Sequence, residues 1–119
     1  MDDNDEIIRT AMLGWYPFKG ALESRLAVGV ETYGHGVRVN DDTTQWGTKI
    51  DSWLEMGLEE IDDLAIYVIA QFLRDMPGQH DNPVIDGEEF YHYNNRYAGI
   101  LKDLRDVRNK IVGLMENNG

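Results

Sequence analysis

Apolar residues recur along this chain at intervals of three and four, the spacing of one face of an α-helix, and the strict alternation of a strand is hard to find. Ile7, Ile8, Met12 and Leu13 stand about a turn apart and predict a short helix over residues 3–13. A second helix is predicted from near Pro17, a favoured first-turn residue. Leu22, Leu26, Gly29, Val30 and Tyr33 share one of its faces, and Gly34 supplies the stop. The stretch "GHGVRVNDDTTQWG" is rich in Gly, Asn, Asp and Thr and reads as a loop. Thr48 or Asp51 is then placed to cap a third helix, which runs to Asp75 and ends at the breaker cluster "MPGQHDNP". Its core face is Leu54, Leu58, Ile61, Ala65, Val68 and Phe72.

The last predicted helix, Glu88 to Met115, has the clearest period. Phe90, Tyr97, Leu104 and Ile111 repeat every seven residues, with Tyr93, Ile100, Val107 and Leu114 interleaved at the same interval, an a/d pattern. A coiled coil and a long bundle helix both carry such a stripe, and in so short a chain bundle packing is the preferred reading. The expectation is an all-α fold, a small helical bundle of about four helices in one domain over residues 1–119.

Composition narrows the chemistry. The 119 residues include no Cys, so a disulfide framework and a thiolate zinc site are both excluded, and a cytoplasmic setting is expected. No run has the apolar length of a membrane span, and the acidic start "MDDNDEIIRT" is unlike a signal peptide. Asp and Glu number 22 against 11 Lys and Arg, a formal charge of -11, which argues against direct nucleic-acid binding and suits cation binding or mimicry of DNA.

Much of that charge is concentrated on the third helix. In "EMGLEEIDDLAIYVIAQFLR" the acids Glu59, Glu60, Asp62 and Asp63 precede ten residues without a charge. At 100° per residue Glu60, Asp63 and Tyr67 fall on a strip with Trp53, Met56 and Leu64, so carboxylates alternate with large apolar groups. Carboxylates buried in such company need their charge cancelled, and a divalent cation with hard oxygen ligands does so. Glu60 and Asp63 are three apart, and Glu59 and Asp63 four apart, so each pair can converge on one ion. Glu55, one turn before Glu59, is placed to extend the cluster. The simpler reading is a solvated acidic helix end, which is assigned to Asp62 and Glu55.

"EEIDDL" is similar to the acidic signature of the MazG-like, all-α nucleoside triphosphate pyrophosphohydrolases, and "VGVETYGHG" resembles the Glu-any-Tyr-Gly helix end that precedes it in phage-type relatives. The resemblance covers roughly residues 22–74. It implies a helical bundle assembled as a homodimer or tetramer, with Mg²⁺ or Mn²⁺ as cofactor, that hydrolyses a nucleoside triphosphate to the monophosphate and pyrophosphate. Carried over residue by residue, it makes Glu60, Asp63 and Glu31 metal ligands and Glu59 the catalytic acid that orients water. The family's first acidic pair is incomplete here: Glu23 and Glu31 are eight apart, and Val28 stands where a partner three before Glu31 is expected.

Other residues carry weaker signals. Lys102 and Arg105 are candidates for the triphosphate within a basic run that also holds Arg96, Arg108 and Lys110, although Asp103 and Asp106 among them give it the look of a mixed-charge solvent face. Trp46, in a loop, is the candidate for stacking on a base, whereas Trp15, Trp53 and Tyr33 are read as core. His35, His80 and His92 are too scattered for a zinc site. Beside the enzyme stand two alternatives: a non-catalytic relative that binds a nucleotide or protein, and an acidic DNA mimic.

Overall fold

The structure, a computed structural model, describes residues 3–75 and 95–118. It is all-helical, with no strand among the described residues. Its helices are α1 (Asp5–Met12), α2 (Lys19–Tyr33), α3 (Trp53–Asp75) and α4 (Asn95–Asn118), with one turn of 3-10 helix at Thr43–Trp46. The breaker cluster "MPGQHDNP", the histidines His80 and His92, and the first two heptad residues, Phe90 and Tyr93, lie outside the described residues. The backbone divides into two compact units, Met1–Asp42 and Thr43–Gly119.

In the first unit α2 ends as its sequence predicts. Gly34 takes the left-handed conformation at φ 78° and its N–H bonds to Val30 O, a stop that a side chain would strain. The chain then doubles back along the start of α1, where three polar side chains satisfy its backbone. Asp3 Oδ2 accepts from Gly36 N at 2.8 Å, Asp5 Oδ1 from Val37 N at 2.6 Å, and Asn4 Oδ1 from Val39 N at 2.9 Å. Arg38 Nε closes the clamp on Asp3 Oδ1 at 2.8 Å. A Cβ on Gly36 would stand 2.6 Å from Asp5 Oδ2, so a larger residue here would displace that carboxylate. Between α1 and α2, Arg9 Nε reaches both oxygens of Glu23, at 2.8 and 2.9 Å. Leu22, Leu26 and Gly29 are half-buried, but Val30 and Tyr33 of the same predicted face are exposed, and so is Trp15, whose indole N–H bonds to Ala11 O.

In the second unit α3 and α4 pair as an antiparallel hairpin. Phe72 meets Tyr97 edge-on at 5.4 Å, Tyr97 Oη donates to Asp75 Oδ2, and farther along Arg108 grips Asp62. Among the described residues the core is Phe72 and Ala98, each 2% exposed, with Ile69, Leu73, Tyr97 and Leu101 packed around them. All six residues of the predicted α3 core face are buried or half-buried. On α4 the heptad stripe splits. Tyr97, Leu104 and Ile111 are half-buried, while Ile100, Val107 and Leu114 are exposed. A seven-residue repeat holds two rows of side chains, and one neighbouring helix in the hairpin covers only the first.

The start of α3 is set by a polar knot. Thr43, fully buried, accepts at Oγ1 from Ser52 N at 2.7 Å and lies 2.8 Å from Thr48 Oγ1, which in turn donates to Ile50 O at 2.7 Å. Asp51 Oδ1 accepts from Thr43 N. Thr48 and Asp51 are thus committed to the loop, and the cap falls to Ser52, whose Oγ accepts from Glu55 N at 3.2 Å. Glu55 answers by accepting from Lys49 N and Ile50 N, a variant of the capping box.

Two outcomes are expected. Phe72→Ala should destabilise residues 43–119 by about 3–5 kcal/mol, read as an earlier thermal transition in the helical circular dichroism signal. The Gly36 amide and the Arg38 guanidinium hold the Asp3 carboxyl below its ordinary 3.8, so the clamp is fully formed above that pH and is lost as pH falls through the depressed value. The Gly36 amide proton shift, followed by NMR, should therefore titrate with a midpoint below 3.8. In Asp3→Asn that titration should disappear.

Candidate functional site

The α3 acids are four neighbours with unequal surroundings. Asp62 is held by Arg108, Nε to Oδ1 at 2.9 Å and Nη2 to Oδ2 at 3.2 Å, a two-pronged pair between helices. Glu55, one turn before the cluster, spends both carboxylate oxygens on backbone N–H groups. Glu59, Glu60 and Asp63 are exposed, and none has a hydrogen-bond or ion-pair partner among the described residues. The hairpin explains the split. Residues facing α4 include Phe72, Ala65, Ile61 and Leu58, and at 100° per residue Asp63 lies almost diametrically opposite them, with Glu59 and Glu60 to either side.

The burial inferred from alternating acids and apolar residues does not hold within this chain. Trp53, Glu60, Asp63, Leu64 and Tyr67 are all exposed, because the strip they form turns away from the one helix that packs on α3. No desolvation acts on these carboxylates in the single chain, and what remains is mutual repulsion of three charges within about one turn. As donors they suit a hard divalent cation, since all are carboxylate oxygens on an accessible face. Among the described residues, however, no three acidic or imidazole groups already converge as an ion-binding set.

The other expected site residues are placed as follows. Glu31 is exposed in the last turn of α2, in the first unit. Lys102 and Arg105 are exposed on α4, and Arg105 bonds to its neighbour Asp106 at 3.3 Å. Within one hairpin they are not brought to the acidic turn, which points away from α4. Trp46 lies in the 3-10 turn with its ring 5.2 Å from that of Trp53, tilted by 56°. Sequence reasoning left Asp62 and Glu55 as plain surface acids and missed both ties. The signal for Glu55 was present, a Ser-any-any-Glu spacing from Ser52. That for Asp62 was not, because its partner is 46 residues away.

A cavity of about 230 Å³ opens between α1 and α2. Its walls include Arg9, Lys19, Glu6 and Glu23, and no α3 acid contributes to them. Among the described residues no helix is long and apolar enough to cross a membrane. No protein-family model matches the chain, no curated protein is similar to it, and no solved structure matches it.

The unequal treatment of adjacent acids is measurable. Arg108 holds the Asp62 carboxyl below its ordinary 3.8, so the pair stabilises the hairpin above that pH and ceases to as pH falls through the lowered value. Asp62→Asn should melt earlier than the parent at pH 7, and the difference should shrink as pH falls through the lowered value. Asp63→Asn, which removes a repelling charge, should melt at or above the parent temperature at pH 7.

Proposed function

We propose that this chain is a Mg²⁺-dependent nucleoside triphosphate pyrophosphohydrolase that releases the nucleoside monophosphate and pyrophosphate. The observation that carries the reading is the state of the α3 acids. The fold pairs Asp62 with Arg108 and engages Glu55 with backbone amides, and leaves Glu59, Glu60 and Asp63 exposed together without a cationic partner among the described residues. The likeness of "EEIDDL" to the MazG-like signature supplies the reaction class.

Glu60 and Asp63, three apart on one turn, would hold the cation through carboxylate oxygens. When bound, the ion would supply positive charge against the phosphoryl oxygens of a triphosphate attacked in line by water. Glu59 accepts a hydrogen bond from that water, orients it and takes its proton as the pyrophosphate group leaves. Trp46 and its neighbour Trp53 offer an aromatic surface for a base. The membership of Glu31 rests on the resemblance alone.

A second reading is favoured by one feature, the exposure of these carboxylates, which a DNA mimic needs and a metal site does not. The two differ in their response to cations. Millimolar Mg²⁺ should raise the melting temperature of the parent, by an amount that corresponds to about 2.7 kcal/mol at a hundredfold excess over the dissociation constant. Glu60→Gln and Asp63→Asn should lose that increment. In a panel of nucleoside triphosphates with Mg²⁺, pyrophosphate release should fall in both variants by more than the roughly 10–100-fold that loss of a supporting group costs. If Mg²⁺ leaves the parent melt unmoved and no nucleotide is cleaved, the enzyme reading is wrong, and the mimic and the non-catalytic binding module are left.

A further inference from the structure

Residues 35–42 carry the chain from the end of α2 to the end of the first unit at Asp42, and the clamp of Asp3, Asn4 and Asp5 fastens the middle of that segment. Side chains hold the amides of Gly36, Val37 and Val39, and the Asn4 amide donates to Val37 O. Apolar burial adds little, since Val37 is half-buried and Val39 is 49% exposed. A segment held mainly by such hydrogen bonds opens locally, well before the helices beside it unfold.

Across the boundary the chain is fixed at once. Thr43 is fully buried, and its N–H bonds to Asp51 Oδ1. The clamp therefore decides how much chain lies between the first unit and Asp42. When it is closed its last bond is at Val39, and Asn40 and Asp41 intervene. When it is open the nearest helix-bound residue upstream is Gly34, whose N–H bonds to Val30 O, and residues 35–41 intervene. At about 3.5 Å per residue the fully extended reach to Asp42 grows from about 10 Å to about 28 Å.

We propose that Asp3, Asn4 and Asp5 are a strap that sets the length of the tether between the two units, short when its bonds to residues 36–39 are made and long when they are released. The effective concentration of one unit at the other changes with tether length, so the strap tunes whatever the two do jointly. Gly36 is the matching half of the device. Its bare Cα lets the Asp5 carboxylate reach Val37 N, because a Cβ there would stand 2.6 Å from Oδ2 and 2.7 Å from Cγ of Asp5. The strap can thus be opened from either side, by removing the acceptors on residues 3 and 5 or by adding a methyl group at residue 36. None of this depends on the nucleotide reading.

Amide hydrogen exchange reads the strap directly. At residues 36, 37 and 39 it should be roughly tenfold faster than in the parent, both in Gly36→Ala and in Asp3→Ala combined with Asp5→Ala, the effect of losing one or two such bonds. At Ser52 it should be unchanged. The chain has no Cys, so spin labels on Ser24→Cys in α2 and Asn109→Cys in α4, both exposed, report the tether without background. With labelled chain diluted in unlabelled chain, the distribution of distances between them should be roughly twice as wide in Gly36→Ala as in the parent, as the square root of tether length dictates. Equal widths overturn the proposal. So does parent-like exchange at residues 36, 37 and 39 in both variants, which would mean that the strap is not what holds the segment. Should the double variant lose its helical signal, Gly36→Ala, which leaves α1 unaltered, decides.

Discussion

A ring contact and an ion pair hold α3 and α4 side by side in opposite directions, and the exposure of the described residues of both helices depends on those two ties. Phe72 against Tyr97 fixes one end of the hairpin, and Asp62 against Arg108 fixes a point about three turns away. With both in place neither helix can slide or roll, so each side chain has a settled direction. The acidic turn is directed outward because Asp62 is directed across. The ion pair is exposed, and its value is more in alignment than in raw stability.

A chain with twice as many acids as bases might be thought to hold its surplus in reserve for ligands, but much of it is structural. Asp3 and Asp5 satisfy the backbone of residues 36 and 37, Asp51 and Glu55 that of residues 43, 49 and 50, and Glu23 steadies Arg9 between α1 and α2. Asp75 takes hydrogen bonds from Gln71 and Tyr97. These carboxylates do work that a sheet would do with its own amides, in a fold where the loops have no strand to lie against. Among the acids that remain, Glu59, Glu60 and Asp63 stand together within about one turn of α3.

How far the sequence reveals this depends on how local each determinant is. The α3 core face is readable residue by residue because a helix period needs no partner to express it, and Gly34 is readable as a stop because its left-handed backbone is its own requirement. The cap of α3 is missed by a few residues, since Thr48 and Asp51 have the right chemistry but are engaged by Thr43. The heptad stripe on α4 is visible, yet which of its two rows would meet α3 is not, because periodicity names a face without naming what covers it. The same limit produced the expectation that Glu60 and Asp63 are buried. Asp62 and Asp63 are chemically identical neighbours, and only the position of Arg108, far along the chain, separates their roles.

The knot around Thr43 has a consequence that reaches beyond its own loop. Its hydrogen bonds run in order along the loop, from the Ser52 amide to Thr43, between the Thr43 and Thr48 hydroxyls, and from Thr48 to the Ile50 carbonyl. That order admits a single starting residue for α3. Were the helix to begin one residue earlier or later along the same axis, every side chain after it would be turned by about 100°. Two threonines in a loop therefore act as the index mark on a dial, and the azimuth at which Glu60 and Asp63 face outward is set two to three turns upstream of them.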